Sequence, residues 1–202
     1  MESKYNEPLD SLPNTITELF SSGEFSQPVD NLPNSSTHLT LGNKFNNPVD
    51  NLPNSLIYLD LGYEFNKPVD NLPPNITELN FGKKFSQPVN NLPPNLKYLH
   101  FYMCSEFNYP VDNLPNSIKS ITFGEKFNQQ IDNLPPRLTH LTLGQNFDQN
   151  INHLPRSLTY LILGNNFNKP IDNLPPCLIE LKFGSNFNQS IGCDIESHDH
   201  EC

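Results

Sequence analysis

The sequence has no tryptophan, no long apolar run and few basic residues, and the last two deficits each exclude a class of protein. Its 12 lysines and arginines face 22 aspartates and glutamates, giving a net charge of −10. This balance argues against a nucleic-acid binder, because such proteins gain affinity from clustered basic side chains. No apolar run approaches the ~18 residues of a membrane span, and residues 1–8 lack the apolar core of a secretory signal.

Cysteine is also scarce, with four residues in the chain. In a sequence without a secretory signal, cysteines are most simply free thiols rather than a disulfide framework. We therefore expect an intracellular, cytoplasmic chain that contacts no membrane.

Proline, by contrast, is abundant, and its placement shows an internal repeat. An aromatic residue recurs every 20 residues, with one step of 22, and marks position 1 of nine repeats that begin at Tyr5, Phe25, Phe45, Phe65, Phe85, Phe107, Phe127, Phe147 and Phe167. All 20 prolines fall at positions 4, 9 or 10 of this frame. Such regular placement indicates repeated geometry rather than disorder.

Each repeat predicts one short strand and one extended return segment. In repeat 3, Leu59 and Leu61 share one face of a strand while Tyr58 and Asp60 share the other. The two prolines of the next segment exclude a helix or a central strand there. A single unit cannot bury its apolar positions 1, 5, 8, 12, 15 and 17, but a parallel stack of units can.

The motifs resemble a known family. The run L-x-x-L-x-L, as in 138–143, is similar to the strand segment of leucine-rich repeats, and with the flanking F-N-x-P-[VI]-D-N-L-P of 167–175 it resembles the FNIP-repeat family. The resemblance implies a leucine-rich-repeat-type solenoid, with a curved parallel β-sheet of about nine short strands and little helix. We expect one such domain over 1–191, with a two-residue insertion near 102–105. The resemblance to the FNIP-repeat family also implies an interaction role. Some relatives carry an F-box or a kinase domain, and we expect neither in this sequence.

Position 20 departs from the leucine-rich pattern, which places a buried asparagine there. Repeats 1–6 instead alternate glutamate and lysine, and only Asn146, Asn166 and Asn186 follow the pattern. Unpaired charges are too costly to bury, so we expect an exposed ladder of opposite charges. The phenylalanine at position 1 should then carry the packing.

Candidate binding residues lie at positions 14 and 16, which point away from the core. Tyrosine and histidine there suit a contact surface on the concave face, although tyrosine and threonine also favour exposed strands for their β-propensity alone. The predicted partner is another protein, and its predicted contacts are His38, Tyr58, Glu78, Tyr98, His100, His140 and Tyr160.

Two other features have competing explanations. The aspartates at position 6 could form a strip that binds cations or a basic partner, but a residue repeated in most units more simply serves the unit, through Asx-type turns. The insertion at 102–105 is most simply a neutral bulge, since loops tolerate extra residues.

We expect no catalysis, no cofactor and no metal, because the histidines do not converge with a nucleophile and an orienting group. The alternative is a structural stack with a metal-binding or redox-responsive tail at 192–202, which is acidic and expected to be disordered. Its thiols and imidazoles are Cys193, His198, His200 and Cys202. The first repeat also lacks a polar cap, which predicts end-to-end self-association through it.

Overall fold

The computed structural model describes residues 5–190, which form one sheet of nine parallel strands in sequence order. The strands are β1 (Glu18–Phe20), β2 (His38–Thr40), β3 (Tyr58–Asp60), β4 (Glu78–Phe81), β5 (Tyr98–Phe101), β6 (Ser120–Thr122), β7 (His140–Thr142), β8 (Tyr160–Ile162) and β9 (Glu180–Lys182). Each strand belongs to the repeat of the same number, and no helix occurs in the described residues. The predicted leucine-rich-repeat-type solenoid is confirmed. The expected boundary at 191 and the tail at 192–202 lie outside the described residues.

Strand register follows the repeat frame. Leu59 is the Cα partner of Leu79, which is in turn the partner of Leu99. The register continues across the 22-residue step, where Leu99 pairs with Ile121. Equivalent residues of successive repeats therefore lie over one another, and the insertion is accommodated outside the strands.

The interior consists of the six predicted columns. Their leucine, valine, isoleucine and phenylalanine side chains are buried through the middle repeats, and the rings at position 1 stack from repeat to repeat. The ring centroids of Phe65 lie 6.1 Å from those of both Phe45 and Phe85. Phenylalanine thus carries the packing, as expected, and each buried ring contributes about 1.5–3 kcal/mol before entropy is counted. The column at position 12 has one polar member, Ser36, which is fully buried.

A column of glycines at position 18 lets the turns after the strands stack closely. A Cβ added at Gly144 would lie 1.9 Å from the carbonyl oxygen of Gly124 in the repeat before it. That distance excludes any side chain, so glycine is required there for the repeats to approach each other. Repeat 5 has Tyr102 at this position, as the first residue of the segment 102–105 that contains the insertion.

Polar side chains join the repeats along the outside of the stack. At position 2, the Asn128 side-chain oxygen accepts the backbone N–H of Asp148 at 2.9 Å. At the position-6 turn, Asn71 donates to the Asp50 carboxylate at 3.1 Å, and the same bond recurs between other repeats. The Asx-turn explanation therefore named the wrong partner, because these carboxylates bond to the asparagine of the next repeat rather than within their own turn.

Position 20 forms the expected exposed ladder in part. Lys44 contacts Glu64 at 3.2 Å and Lys84 contacts Glu106 at 2.7 Å, with all four side chains well exposed. Lys126 instead pairs with its neighbour Glu125. The asparagines that follow the leucine-rich pattern also bond to each other, on the exterior of the stack.

Candidate functional site

We call the surface formed by the side chains at positions 14 and 16 the sheet face. All seven predicted contact residues lie on it, at position 14 of β2, β3, β4, β5, β7 and β8 and at position 16 of β5. At a strand spacing of ~4.8 Å the set extends over about 29 Å. It is too long to be a single pocket and has the dimensions of a strip.

Two aromatic pairs stand towards the two ends of this strip. The His38 ring stacks on Tyr58 with centroids 5.9 Å apart, and the His140 ring stacks on Tyr160 at 5.1 Å. Parallel register puts each pair on neighbouring strands. Between them Tyr98 is 42% exposed, so its ring is available for contact.

The middle of the sheet face holds a group that we call the central cluster: Tyr58, Asp60, Asn80 and His100, together with Tyr102 at position 18. Hydrogen bonds join Asn80 to Tyr58 and Tyr102 to Asp60, and His100 is the strand neighbour of Asn80. Asp60 and Asn80 are strand neighbours, and only 8% and 9% of their surfaces are exposed. The Asp60 carboxylate accepts the Gly62 N–H and the Tyr102 hydroxyl, both at 2.9 Å. The Asn80 amide donates to the Tyr58 hydroxyl at 2.9 Å, while its buried Oδ1 has no hydrogen-bond partner.

The members around Asp60 are neutral at pH 7. Burial, together with the Asp60 charge, raises the pKa of the Tyr102 and Tyr58 hydroxyls, so both keep their protons. Burial also lowers the pKa of His100, against the opposing effect of Glu78, so its imidazole is uncharged. Within residues 5–190 Asp60 makes no salt bridge.

Three members of the central cluster, Asp60, Asn80 and Tyr102, are not among the seven predicted contact residues. Asp60 and Asn80 alternate outward in the strand pattern, which predicts exposure rather than burial. The interpretation of the insertion as a neutral bulge does not account for the Tyr102 hydroxyl, which reaches back two repeats to Asp60. Met103 and Cys104 are exposed. The available signal was the bulky residue in a column otherwise occupied by glycine or serine.

The first repeat has an apolar end. A cavity of about 510 Å³ there is lined by Leu9, Leu12, Leu19, Phe20 and Phe25, among others. Phe20 is 69% exposed, unlike the residues of the buried columns. This is the surface on which the self-association prediction depends.

The described part of the chain shows neither a group of metal ligands nor a membrane-spanning helix. Residues 5–190 contain no group of three or more histidine, cysteine, aspartate or glutamate side chains that could hold a metal. No helix among them is long and apolar enough to cross a bilayer. The alternative metal set Cys193, His198, His200 and Cys202 lies outside the described residues.

Two solved structures resemble the chain over most of its length. One, described as the crystal structure of CroV588, a novel circular LRR protein structure, is 37% identical with a TM-score of 0.74 and covers 93% of this chain. The chain spans only 33% of that protein. The other is YopM from Yersinia enterocolitica WA-314, at 18% identity and a TM-score of 0.51, covering 86% of this chain and 43% of that one. The similarity to YopM concerns the fold alone. No curated protein matches the chain.

The model of the FNIP Repeat matches the sequence in overlapping segments at 25–64, 45–84, 65–104, 85–126, 107–133, 127–166, 147–176 and 167–194. The segments cover every repeat except the first, whose position 1 is tyrosine rather than phenylalanine. Leucine-rich-repeat-like folds generally serve as protein-interaction scaffolds and are typically non-enzymatic. By its repeats and its fold, the chain belongs to the FNIP-repeat family.

Proposed function

We propose that this chain is a non-enzymatic interaction module that binds a partner protein on the sheet face, taken as the concave side of a curved solenoid. The observation that carries the proposal is the contrast in variability within the repeat. Interior positions recur from unit to unit, whereas positions 14 and 16 change along the stack. Variation on one exposed face of a regular stack is how solenoids present a specific binding surface.

The chemistry of the strip supports this role. Tyrosine and histidine are amphipathic, and large aromatic side chains dominate the energetics of protein interfaces. The proposed contacts are the seven predicted residues, with the His38–Tyr58 and His140–Tyr160 pairs as flanking anchors and Tyr98 between them. The exposed free thiols of Cys104 and Cys177 fit the reducing interior of a cell.

The test is capture of the partner by the full chain and by a pair of matched variants. Tyr98→Ala removes a tyrosine that is 42% exposed on the sheet face, and Tyr109→Ala removes one that is 39% exposed away from the strands. We expect Tyr98→Ala to lose the partner and Tyr109→Ala to keep it, with thermal melts showing that both remain folded. Loss in the second variant alone would place the partner elsewhere.

A second candidate is self-association through the first repeat, favoured by its apolar cavity and the exposed Phe20. Light scattering across a wide concentration range tests it. We expect the mass to rise with concentration in the wild type and to stay monomeric in Phe20→Lys. A monomer at every concentration in both proteins would contradict it.

A further inference from the structure

The central cluster presents two buried acceptors that the described part of the chain leaves without a cationic partner. Asp60 and Asn80 are both more than nine-tenths buried and lie on neighbouring strands. The carboxylate is met only by neutral donors, the Gly62 amide and the Tyr102 hydroxyl. The Asn80 Oδ1 has no donor at all.

Such an arrangement is unusual because buried polar atoms are nearly always hydrogen-bonded. A buried carboxylate is stabilised most by a charged donor, whose hydrogen bonds are roughly twice as strong as those of a neutral one. A carboxylate also has about four acceptor directions, and the bonds observed at Asp60 leave one on Oδ2 open. The missing donor would satisfy both Asp60 and Asn80.

No neighbouring side chain of the sheet face supplies that donor. His100 is neutral, and the sheet face has a single lysine or arginine, Lys182, on the last strand. The carboxylates of this face are Glu18, Asp60, Glu78 and Glu180. The local charge therefore favours a cation from outside.

We propose that the central cluster is the binding site for a lysine or arginine side chain of the partner protein, held between Asp60 and Asn80. The proposal rests on the proposed function and names the chemistry of the contact. Arginine suits the geometry best, because its planar fork presents several donors to acceptors one strand apart. Tyr58 and Tyr102 then flank the cation with their rings.

Tyr102 occupies the site in the free protein. Its hydroxyl is a neutral donor to Asp60, and the residue is 38% exposed, whereas Gly62, the other donor to that carboxylate, is buried. An incoming cation replaces this hydroxyl. The insertion thereby acquires a role, since it places at the position-18 turn a side chain long enough to reach two repeats back.

The experiment is an NMR titration of the isotope-labelled chain with an acetylated tripeptide that has a central arginine. The control peptide has citrulline, the neutral isostere, at the same place, and a third arm adds potassium chloride to equal ionic strength. We expect the arginine peptide to shift the Gly62 backbone amide and the Asn80 side-chain amide. Equal shifts with citrulline or with salt, or none with arginine, would overturn the proposal.

Two variants locate the charge. Asp60→Asn removes the charge at nearly the same volume: its amide oxygen can still accept the Gly62 N–H, while its NH2 group donates to the Tyr102 hydroxyl instead of accepting from it. We expect at least about tenfold weaker binding of the arginine peptide. Glu18→Gln removes the same charge from an exposed place on the same face and should leave the affinity within about twofold. Equal losses in the two variants would mean a general charge effect and would contradict the site.

A third variant tests the exchange with Tyr102. Tyr102→Phe keeps the ring but removes the competing hydroxyl, so it should bind the arginine peptide about two- to tenfold more tightly. Weaker binding would contradict displacement of the hydroxyl.

Failure of this inference can be told apart from failure of the proposed function. If Asp60→Asn retains the partner that Tyr98→Ala loses, the sheet face binds but the cationic site is wrong. If neither variant affects capture, the proposed function itself fails.

Discussion

The interior columns and the sheet face are built by the same nine strands, yet they obey opposite rules. In the interior, each residue packs on its own equivalent one repeat away, as the stack of phenylalanine rings shows. On the sheet face, the Tyr102 hydroxyl bonds to Asp60 across 42 residues, and no other repeat within residues 5–190 makes an equivalent bond. The residues that recur in every repeat therefore hold the stack together, and the residues that depart from the repeat, such as Tyr102, are the ones to test for function.

The largest expected effect is a difference in the free energy of unfolding between a variant of the interior columns and a variant of the sheet face. Phe127→Ala removes a fully buried ring from the position-1 column and should cost about 3–5 kcal/mol. Tyr98→Ala on the sheet face should cost less than about 1 kcal/mol, since its side chain is 42% exposed. Chemical denaturation of both variants measures the difference, and similar losses would break the distinction.

The next effect concerns the closeness of the stack at the turns. Gly144→Ala puts a Cβ 1.9 Å from the Gly124 carbonyl oxygen and should destabilise by about 1–3 kcal/mol. Gly23→Ala is the control, because nothing lies within 4 Å of a Cβ there, and it should change stability by less than about 0.5 kcal/mol. If both glycines tolerate alanine equally, the glycine column has no packing role.

The one polar member of the position-12 column allows a gain of stability. Ser36 is fully buried where other repeats have leucine or isoleucine, and Ser36→Leu should stabilise the chain by about 0.5–2 kcal/mol. Ser35→Leu is its neighbouring control, because Ser35 lies outside the column and donates to the Ile16 carbonyl at 2.6 Å. A higher melting temperature is expected only for the first variant, and a lower one there would mean that the column cannot accept the larger side chain.

The smallest effect is a pH dependence from the sheet face. Because burial lowers the pKa of His100, the unfolded chain binds the proton more readily than the folded one. The stabilisation from neutral His100 is fully present above the unfolded pKa of ~6.5 and is lost as pH falls from there through the lower pKa of the folded state. Melts between pH 7.5 and 5.5 should show a smaller decline in His100→Asn, and identical declines would contradict the assignment.

The interior was predictable from the sequence, and the central cluster was not. Columns such as Leu59, Leu79 and Leu99 repeat at fixed spacing, so periodicity alone gives their register. The position of Tyr102 relative to Asp60 depends on the path of an insertion, which spacing does not encode. The alternation of side chains along the strand predicts the correct face for Asp60 but does not predict that Asp60 is buried there.

The hydrogen bonds between repeats at the position-6 turns show a second limit of prediction from the sequence. The repeated aspartates and asparagines indicate a structural role, and that expectation was sound. Their chemistry allows a bond within the turn or between turns, and only the stacked geometry selects the second. The partner of a polar side chain is therefore harder to predict than the column of an apolar one.

Covalent footprinting of the chain with and without its captured partner compares the two regions most directly. Diethylpyrocarbonate modifies exposed histidines, and the chain offers His140 on the sheet face and His153 at the outer edge, where it bonds to Asp132. We expect the partner to protect His140 and leave His153 as reactive as in the free chain. Protection of His153 with full reactivity of His140 would contradict binding on the sheet face.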